Sequence, residues 1–291
     1  MNPIFLQIGP ITIYYYGLMY AISFFLGMEI GKYKGKERGI SPELVENYAF
    51  VAMISGLIGG RLYYVLFNLN YYLNNVLKIF AVWEGGMAIH GGIIGGIIGT
   101  LIYARIKKVN GFALGDLAAP ALLLGQSLGR FGNLMNGEVH GVPTFTPWNV
   151  IFSMKPKFAE WFTSYQKLSL SQQMEYPELV PFGITFPESS PAGYEFPNLP
   201  LHPAMLYEAA LNFIAFLFIF FYLSKKKNLA PGTVWWTYII LYSIIRIFVS
   251  FFRAEDLMIG GLRAPHLISL VLIAISLAII IFINRKKNSV I

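Results

Sequence analysis

The sequence predicts an all-α integral membrane protein with seven transmembrane helices, its N-terminus outside, its C-terminus in the cytoplasm, and a small extracytoplasmic cap. Three observations predict this fold class: the composition, seven long apolar stretches, and the placement of the basic residues. Of the 291 residues, 56% are hydrophobic and 13% are charged, whereas an ordinary soluble domain has about 25% charged residues. This composition excludes a disordered chain, a nucleic-acid-binding domain and most soluble enzymes.

Each apolar stretch is long enough to cross a bilayer as a helix. A hydrocarbon core of about 30 Å requires about 20 apolar residues in helical form, and lipid does not tolerate unpaired backbone groups. The first stretch has no preceding basic region and no following cleavage site, so we expect no cleaved signal peptide. We predict one membrane domain over residues 1–291, with spans at approximately 11–30, 48–67, 87–104, 114–134, 204–223, 233–252 and 264–284.

The basic residues predict the orientation. Four clusters follow the first, third, fifth and seventh stretches and hold 13 of the 22 lysines and arginines. If the spans alternate in direction, all four clusters lie on one side, which the positive-inside rule identifies as the cytoplasm. We expect them to contact anionic lipid and no nucleic acid. The clusters are Lys32, Lys34, Lys36 and Arg38; Arg105, Lys107 and Lys108; Lys225, Lys226 and Lys227; and Arg285, Lys286 and Lys287.

The longest segment between spans, residues 137–203, is predicted to form the extracytoplasmic cap between the fourth and fifth transmembrane helices. Proline and glycine interrupt residues 181–200 at short intervals, which favours extended or short-stranded structure over a long helix. Glycines at four-residue spacing in the second and third spans instead predict close packing of helix backbones. These glycines are Gly56, Gly60, Gly91, Gly95 and Gly99.

Buried arginines are the most informative feature of the chain. Arg61, Arg130 and Arg246 fall inside apolar spans, and Arg253 and Arg263 flank the outer ends of the last two. A charge at mid-membrane costs about 2.5–3.5 kcal/mol, so several arginines require a compensating partner. A guanidinium donates two charge-assisted hydrogen bonds to a phosphate or a carboxylate. The arginines therefore predict either an anionic lipid headgroup or buried ion pairs.

Other polar residues gather near the outer ends of the same spans. The block GRFGNLMNGEVHG ends the fourth span and carries Arg130, Asn133, Asn136, Glu138 and His140. Amide and carboxylate groups here could hold glycerol hydroxyls, while Glu138, with Glu208 in HPAMLYE, could instead pair with arginines. His90 opens the third span, where it could bond a neighbouring helix or accept a proton near neutral pH. These residues alone predict a membrane protein that handles a phospholipid.

The sequence resembles the prolipoprotein diacylglyceryl transferase family. The motifs YYYGLMYAISF, GGRLYYVLF, VWEGGMAIHGG, GRFGNLMNGEVHG, HPAMLYE and RIFVSFFR occur in the family's order and spacing, from about residue 9 to 253. The resemblance implies an enzyme of the bacterial cytoplasmic (inner) membrane. It would transfer the diacylglyceryl group of phosphatidylglycerol to the lipobox cysteine thiol of a prolipoprotein, forming a thioether and releasing glycerol-1-phosphate.

Matching motifs imply two sets of site residues and no cofactor or metal. The catalytic set is His90, Arg130, Arg246 and Tyr16. The substrate-binding set is Asn133, Asn136, Glu138, Gly141, Arg61, Glu208 and Arg253. The family usually has Glu four residues after the arginine of the sixth span, whereas this chain has Ser250. A buried ion pair to Arg246 is therefore missing or supplied by another residue.

The implied chemistry agrees with the composition. The attacking sulfur belongs to the substrate, and the chain has no cysteine. A thiol with a pKa near 8.5 needs a base or a positive field, for which His90 is the first choice and Tyr16 the second. The expected partners are phosphatidylglycerol, a prolipoprotein signal peptide with its lipobox cysteine, and membrane lipids. A lipid transporter and a non-catalytic scaffold are the alternatives, but clustering of the polar groups in the outer half favours the enzyme.

Overall fold

The chain is mostly helical in the computed structural model, which describes residues 1–9, 11–226 and 228–288. Lys227, which belongs to the third basic cluster, lies outside the described residues. The helices are α1 Tyr15–Glu37, α2 Pro42–Phe67, α3 Leu69–Leu73, α4 Ile89–Lys107, α5 Gly111–Asn136, α6 Trp148–Ile151, α7 Phe158–Gln166, α8 Leu170–Gln173, α9 Pro191–Glu195, α10 Ala204–Leu217, α11 Thr233–Phe252 and α12 Ala264–Asn288.

Six of the described helices are long and apolar enough to cross a membrane. They are α2, α4, α5, α10 with its continuation to Lys225, α11 and α12. They correspond to the second through seventh predicted stretches. α1 is also a helix of 23 residues, but its tyrosines and the charged residues of its second half make it less apolar than these six.

Two short antiparallel hairpins were not predicted. Strand β1 (Ile4–Ile8) pairs with β2 (Ile11–Tyr14), and β3 (Met258–Ile259) pairs with β4 (Leu262–Arg263). The predicted first span began at about residue 11 and was wrong there, since Ile11–Tyr14 form β2 and the helix begins at Tyr15. The long elements of the described residues are all helices, in agreement with the predicted all-α class.

The described residues form two compact units. One contains Met28–Ala118, and the other contains Met1–Gly27 with Ala119–Ile291. In the first unit, α2 packs against α4 through glycines, as predicted. A Cβ at Gly59 would clash with the backbone of Gly91 and Gly95, so only glycine permits this close approach.

In the second unit, α10, α11 and α12 pack in sequence, and residues 137–203 have their own small core. This segment contains only short helices and isolated bridges such as Ile184 with Leu201. The prediction that residues 181–200 contain no long helix is confirmed. The buried core consists of Phe186, Ala192, Phe196 and Leu201 together with Met205 of α10, so the segment packs against the start of that helix.

Candidate active site

Arg130 forms an ion pair with a buried carboxylate within the larger unit. Its Nη2 donates to Oε1 of Glu208 on α10, whose side chain is completely buried. Its Nη1 donates to Oδ1 of Asn133, 3.0 Å away and one helical turn later on α5. Of the two partners that the sequence allowed for an arginine–glutamate pair, Glu208 therefore pairs with Arg130. The pair compensates the charge of the completely buried Glu208 carboxylate, which would otherwise be costly.

The hydrogen bonds continue from Asn133 to α1 and to the loop after α5. Asn133 donates through Nδ2 to the hydroxyl of Tyr16. Tyr16 donates to Oε2 of Glu138 at 3.0 Å, and Nδ2 of Asn136 lies 3.3 Å from Oε1 of the same carboxylate. Glu138 thus pairs with a tyrosine and an amide among these contacts. One continuous network joins six predicted site residues: Glu208, Arg130, Asn133, Tyr16, Glu138 and Asn136.

The local sequence explains how the end of α5 presents these groups. Arg130 and Asn133 are three residues apart, so they share a helix face. Gly137 has a positive φ of 65°, which suits glycine, and turns the chain out of the helix. The Glu138 amide then donates to the Asn133 carbonyl at 2.9 Å. This turn places the Glu138 carboxylate back over the last turn of α5.

A cleft of about 790 Å³ borders the Glu138 end of the network. Tyr16, Asn136 and Glu138 line it together with residues of β2 and α9. The lining combines apolar side chains with a carboxylate, an amide and a phenol, and such a combination suits an amphipathic ligand. The lining residues are Met1, Pro3, Thr12, Ile13, Tyr14, Tyr16, Gly17, Met135, Asn136, Glu138, Ser189, Ser190 and Pro191.

A second arginine group surrounds Asp256, which follows α11. Arg246 donates through Nη2 to Oδ1 of Asp256 at 3.1 Å, and Nε of Arg253 lies 3.6 Å from the same oxygen. Nη1 of Arg263 lies 3.7 Å from the other oxygen, Oδ2, to which the Ser250 hydroxyl also donates. Three arginines thus share one carboxylate, and this part of the site keeps an excess of positive charge.

The two arginine groups are close enough to influence each other electrostatically. Burial and the nearby Arg246 lower the pKa of Arg253, whereas Asp256 and Glu208 act in the opposite direction and Arg130 adds to the lowering. Arg253 therefore lies in a region of positive potential with too few carboxylates to neutralise it. An anion would be stabilised there.

Gly141 lies where three backbone segments meet. Its amide donates to the His202 carbonyl at 2.9 Å, and the next amide, of Val142, donates to the Phe252 carbonyl at 2.9 Å. A Cβ on Gly141 would clash with both carbonyls. The glycine thus lets the segment after α5 pair beside Arg253.

Two histidines lie in the same part of the chain. His140 is buried, and its Nε2 lies 3.1 Å from a carboxylate oxygen of Glu195. His202 is completely buried against Phe252, and burial lowers its pKa to about 4. His202 is consequently neutral at pH 7 and acts as a packed polar side chain.

Arg61 lies in the other unit, where backbone carbonyls take up all its donors. Its five N–H groups donate to the carbonyls of Lys78, Ile79, Ala81, Gly85 and Gly86, at distances of 2.5–3.2 Å. A guanidinium has only five N–H donors. Arg61 therefore fixes the segment between α3 and α4 to α2.

His90 lies in the first turn of α4 and is exposed. Its ring centroid is 6.1 Å from that of Tyr63 on α2. Within the described ranges there is no group of three or more His, Cys, Asp or Glu side chains that could hold a metal ion.

Asp256 is the residue that sequence reasoning missed. It lies in the motif RIFVSFFRAED, and the open question about Ser250 already required another partner for Arg246. A carboxylate three residues after Arg253 could have predicted this partner from the sequence. The side chain of Asp256 is only 3% exposed. A charged side chain is almost never buried to this extent unless it is paired, here with the neighbouring arginines.

Comparison with known proteins identifies the family of the chain. The model of the prolipoprotein diacylglyceryl transferase family matches residues 3–282. A phosphatidylglycerol–prolipoprotein diacylglyceryl transferase of Fusobacterium nucleatum is 65% identical over 99% of both chains. Proteins of the same name from Nostoc sp. and Clostridium botulinum are 34% identical over 99% of this chain and over 91% and 99% of theirs. The chain, a multi-pass membrane protein and a transferase, therefore belongs to the prolipoprotein diacylglyceryl transferase family.

Proposed function

We propose that this protein transfers the diacylglyceryl group of phosphatidylglycerol to the lipobox cysteine thiol of a prolipoprotein. The names of its relatives give the two substrates of those proteins. The observation that supports the same reaction here is the pair of arginine groups around the buried carboxylates of Glu208 and Asp256. Their guanidinium groups suit the phosphodiester of a membrane lipid. A soluble substrate would not require such groups within a membrane protein.

Arg130 and Arg246 bind the phosphodiester in this proposal. Each has one edge of its guanidinium engaged with a carboxylate, which fixes the orientation of the group. Negative charge grows on the departing phosphate during the reaction, and fixed positive donors stabilise that charge. Arg253 contributes to the same potential and is proposed to bind substrate as well.

The reaction forms one bond and breaks one. The thiolate sulfur attacks the glycerol carbon that carries the phosphate and forms the thioether carbon–sulfur bond. The carbon–oxygen bond breaks, and glycerol-1-phosphate leaves with the electron pair. The thiol proton passes to a base, for which His90 is the first candidate and Tyr16 the second. No cofactor takes part.

Asn133, Asn136 and Glu138 hold the glycerol hydroxyls or the local backbone, because they belong to the network that borders the cleft. Glu208 acts through Arg130. Gly141 acts through the close approach of the backbone beside Arg253. A direct substrate contact by Arg61 stays a prediction, and it requires at least one of its five carbonyl bonds to break.

The proposed setting is the bacterial cytoplasmic membrane, crossed by seven helices. α1 is the additional span, which places the N-terminus outside and the C-terminus in the cytoplasm under the positive-inside rule. Residues 1–291 form a single membrane domain, and residues 137–203 form its extracytoplasmic cap. Cysteine labelling at single introduced sites in the cap and in the α4–α5 loop tests this orientation.

Mass spectrometry tests the activity directly. The purified protein is incubated with phosphatidylglycerol vesicles and a lipobox peptide, and we expect the peptide mass to rise by one diacylglyceryl group. A peptide with serine in place of the cysteine and vesicles of phosphatidylcholine are the controls. An unchanged peptide mass contradicts the proposal, and transfer of phosphatidylglycerol between leaflets without product would favour a transporter.

A further inference from the structure

Asp256 has the contacts of a residue that positions the phosphate-binding arginines. We propose that Asp256, held by Ser250 and Arg263, fixes Arg246 and Arg253 in the orientation that binds the lipid phosphate. This inference rests on the proposed function. It assigns no catalytic step to Asp256, which acts through the arginines.

The two oxygens of Asp256 serve different neighbours. Oδ1 faces Arg246 at 3.1 Å and Arg253 at 3.6 Å. Oδ2 accepts from the Ser250 hydroxyl and lies 3.7 Å from Arg263. One oxygen thus contacts the arginines that the proposed function uses, and the other is attached to groups that it does not use.

Ser250 and Arg263 form an anchor for the carboxylate. Nη1 of Arg263 donates to the Ser250 carbonyl at 2.7 Å, and the Arg263 residue is only 4% exposed. The β3–β4 hairpin brings Arg263 back to this point, since Gly260 and Gly261 have positive φ values of 58° and 76° at its turn. The anchor therefore depends on backbone structure as well as on side chains.

The position of Asp256 leaves one Arg246 nitrogen for substrate. Nη2 of Arg246 is engaged with Asp256, whereas Nη1 is buried and has no hydrogen-bond partner among the residues that the structure describes. A buried donor without a partner is unfavourable, and a phosphate oxygen would remove that cost. Three arginines against one carboxylate also leave the positive charge that a phosphodiester requires.

The same geometry answers the question that Ser250 raised. In the family pattern a glutamate occupies this position on the sixth span, but here the carboxylate comes from Asp256 in the following loop. The Ser250 hydroxyl donates to it. The serine thus contributes a hydrogen bond, and the loop contributes the negative charge.

The experiment compares Asp256→Asn with Glu255→Gln. Both remove one negative charge from the same loop, but the Glu255 side chain is exposed and Arg253 contacts only its backbone carbonyl. Asp256→Asn is expected to raise the KM for phosphatidylglycerol at least about tenfold and to lower kcat, because the charge-assisted bond that orients Arg246 is lost. The KM for the peptide should change less than about twofold, and Glu255→Gln should match wild type.

A second variant separates charge from shape. Ser250→Glu, added to Asp256→Asn, returns a carboxylate to the arginines from α11, so we expect at least about a tenfold recovery of kcat/KM. Absence of any recovery would overturn the inference, as would an Asp256→Asn enzyme whose kcat/KM equals that of Glu255→Gln. Product from wild type and Glu255→Gln shows that the proposed function stands whichever result is obtained.

If Asp256→Asn does not insert, Ser250→Ala provides the test. It removes the hydroxyl that donates to Asp256 without changing any charge, and its expected effect is a rise of about three- to tenfold in the KM for phosphatidylglycerol. An unchanged KM in inserted Ser250→Ala would contradict the inference.

Discussion

Arg61 and Arg246 are both arginines of apolar helices, but they use their guanidinium groups in opposite ways. All five N–H donors of Arg61 are bonded to backbone carbonyls between α3 and α4. Arg246 has one nitrogen on Asp256 and another, Nη1, buried without a partner among the described residues. An arginine that holds backbone has its donors occupied by carbonyls, whereas one prepared for a ligand keeps a donor without a partner. Of these two arginines, only Arg246 has an N–H donor that is available to a ligand.

The first test follows from the role given to Arg246 and concerns the residue that accepts the thiol proton. If arginines bind and stabilise the phosphate, a separate residue must act as base, and His90→Gln removes the first candidate while keeping a side chain of similar reach. We expect rate loss of about 10²–10⁴-fold with normal insertion and lipid binding. Rates at pH 6 and pH 9 check it, because alkaline buffer supplies substrate thiolate and should return part of the loss.

An equal deficit of His90→Gln at both pH values would argue against the base role. Tyr16, which already donates to Glu138, would then be the next candidate. Tyr16→Phe, which removes the phenolic hydroxyl, is then the variant to measure.

Arg253→Lys sharpens the comparison within the Asp256 group. Lysine keeps the charge but loses the planar fork, and Arg253 lies farther from Asp256 than Arg246 does. We expect about a tenfold rise in the KM for phosphatidylglycerol. Steady-state kinetics on mixed vesicles measure it, and a KM equal to that of wild type would remove Arg253 from the binding set.

Arg61→Lys tests the opposite end of the comparison. Lysine has three donors in place of five, so at least two buried carbonyls lose a partner at about 1–3 kcal/mol each. We expect a lower thermal midpoint in detergent and less protein in membranes. A raised KM for phosphatidylglycerol at an unchanged midpoint would instead support the predicted substrate contact.

The smallest expected effect comes from His202. Its folded pKa is about 4 and its ordinary value is about 6.5, so the unfolded state binds the extra proton first as pH falls. Stability should therefore decrease from about pH 6.5 towards pH 4. Thermal midpoints at pH 7.5 and pH 5 should differ less in His202→Gln than in wild type, and an equal difference would contradict the assignment.

Sequence alone predicted most of the long helices and part of the site, namely the side chains that share one helix face. Hydropathy located α11 at residues 233–252, and the structure has Thr233–Phe252, because apolar length is a local property. The block with Arg130 and Asn133 was equally readable, since three-residue spacing on a helix fixes a shared face.

The remaining contacts depend on tertiary structure. Asp256 reaches Arg246 only because the chain turns after α11. The Gly260–Gly261 pair is a local signal for the β3–β4 hairpin, but the contact of Arg263 with Ser250 and Asp256 depends on tertiary structure. The saturation of Arg61 was also unpredictable, since its partners are backbone carbonyls that any side chain could present. The number of occupied hydrogen-bond donors on an arginine therefore follows only from the tertiary structure.

One measurement tests the phosphate assignment most directly: kcat/KM for phosphatidylglycerol in the double variant Arg130→Lys with Arg246→Lys. Both charges remain, but both planar guanidinium groups are lost, and each charge-assisted bond is worth about 1.5–3 kcal/mol. We predict a fall of at least about 10²-fold in protein that inserts and unfolds like wild type. Near-normal turnover in that double variant would contradict the account.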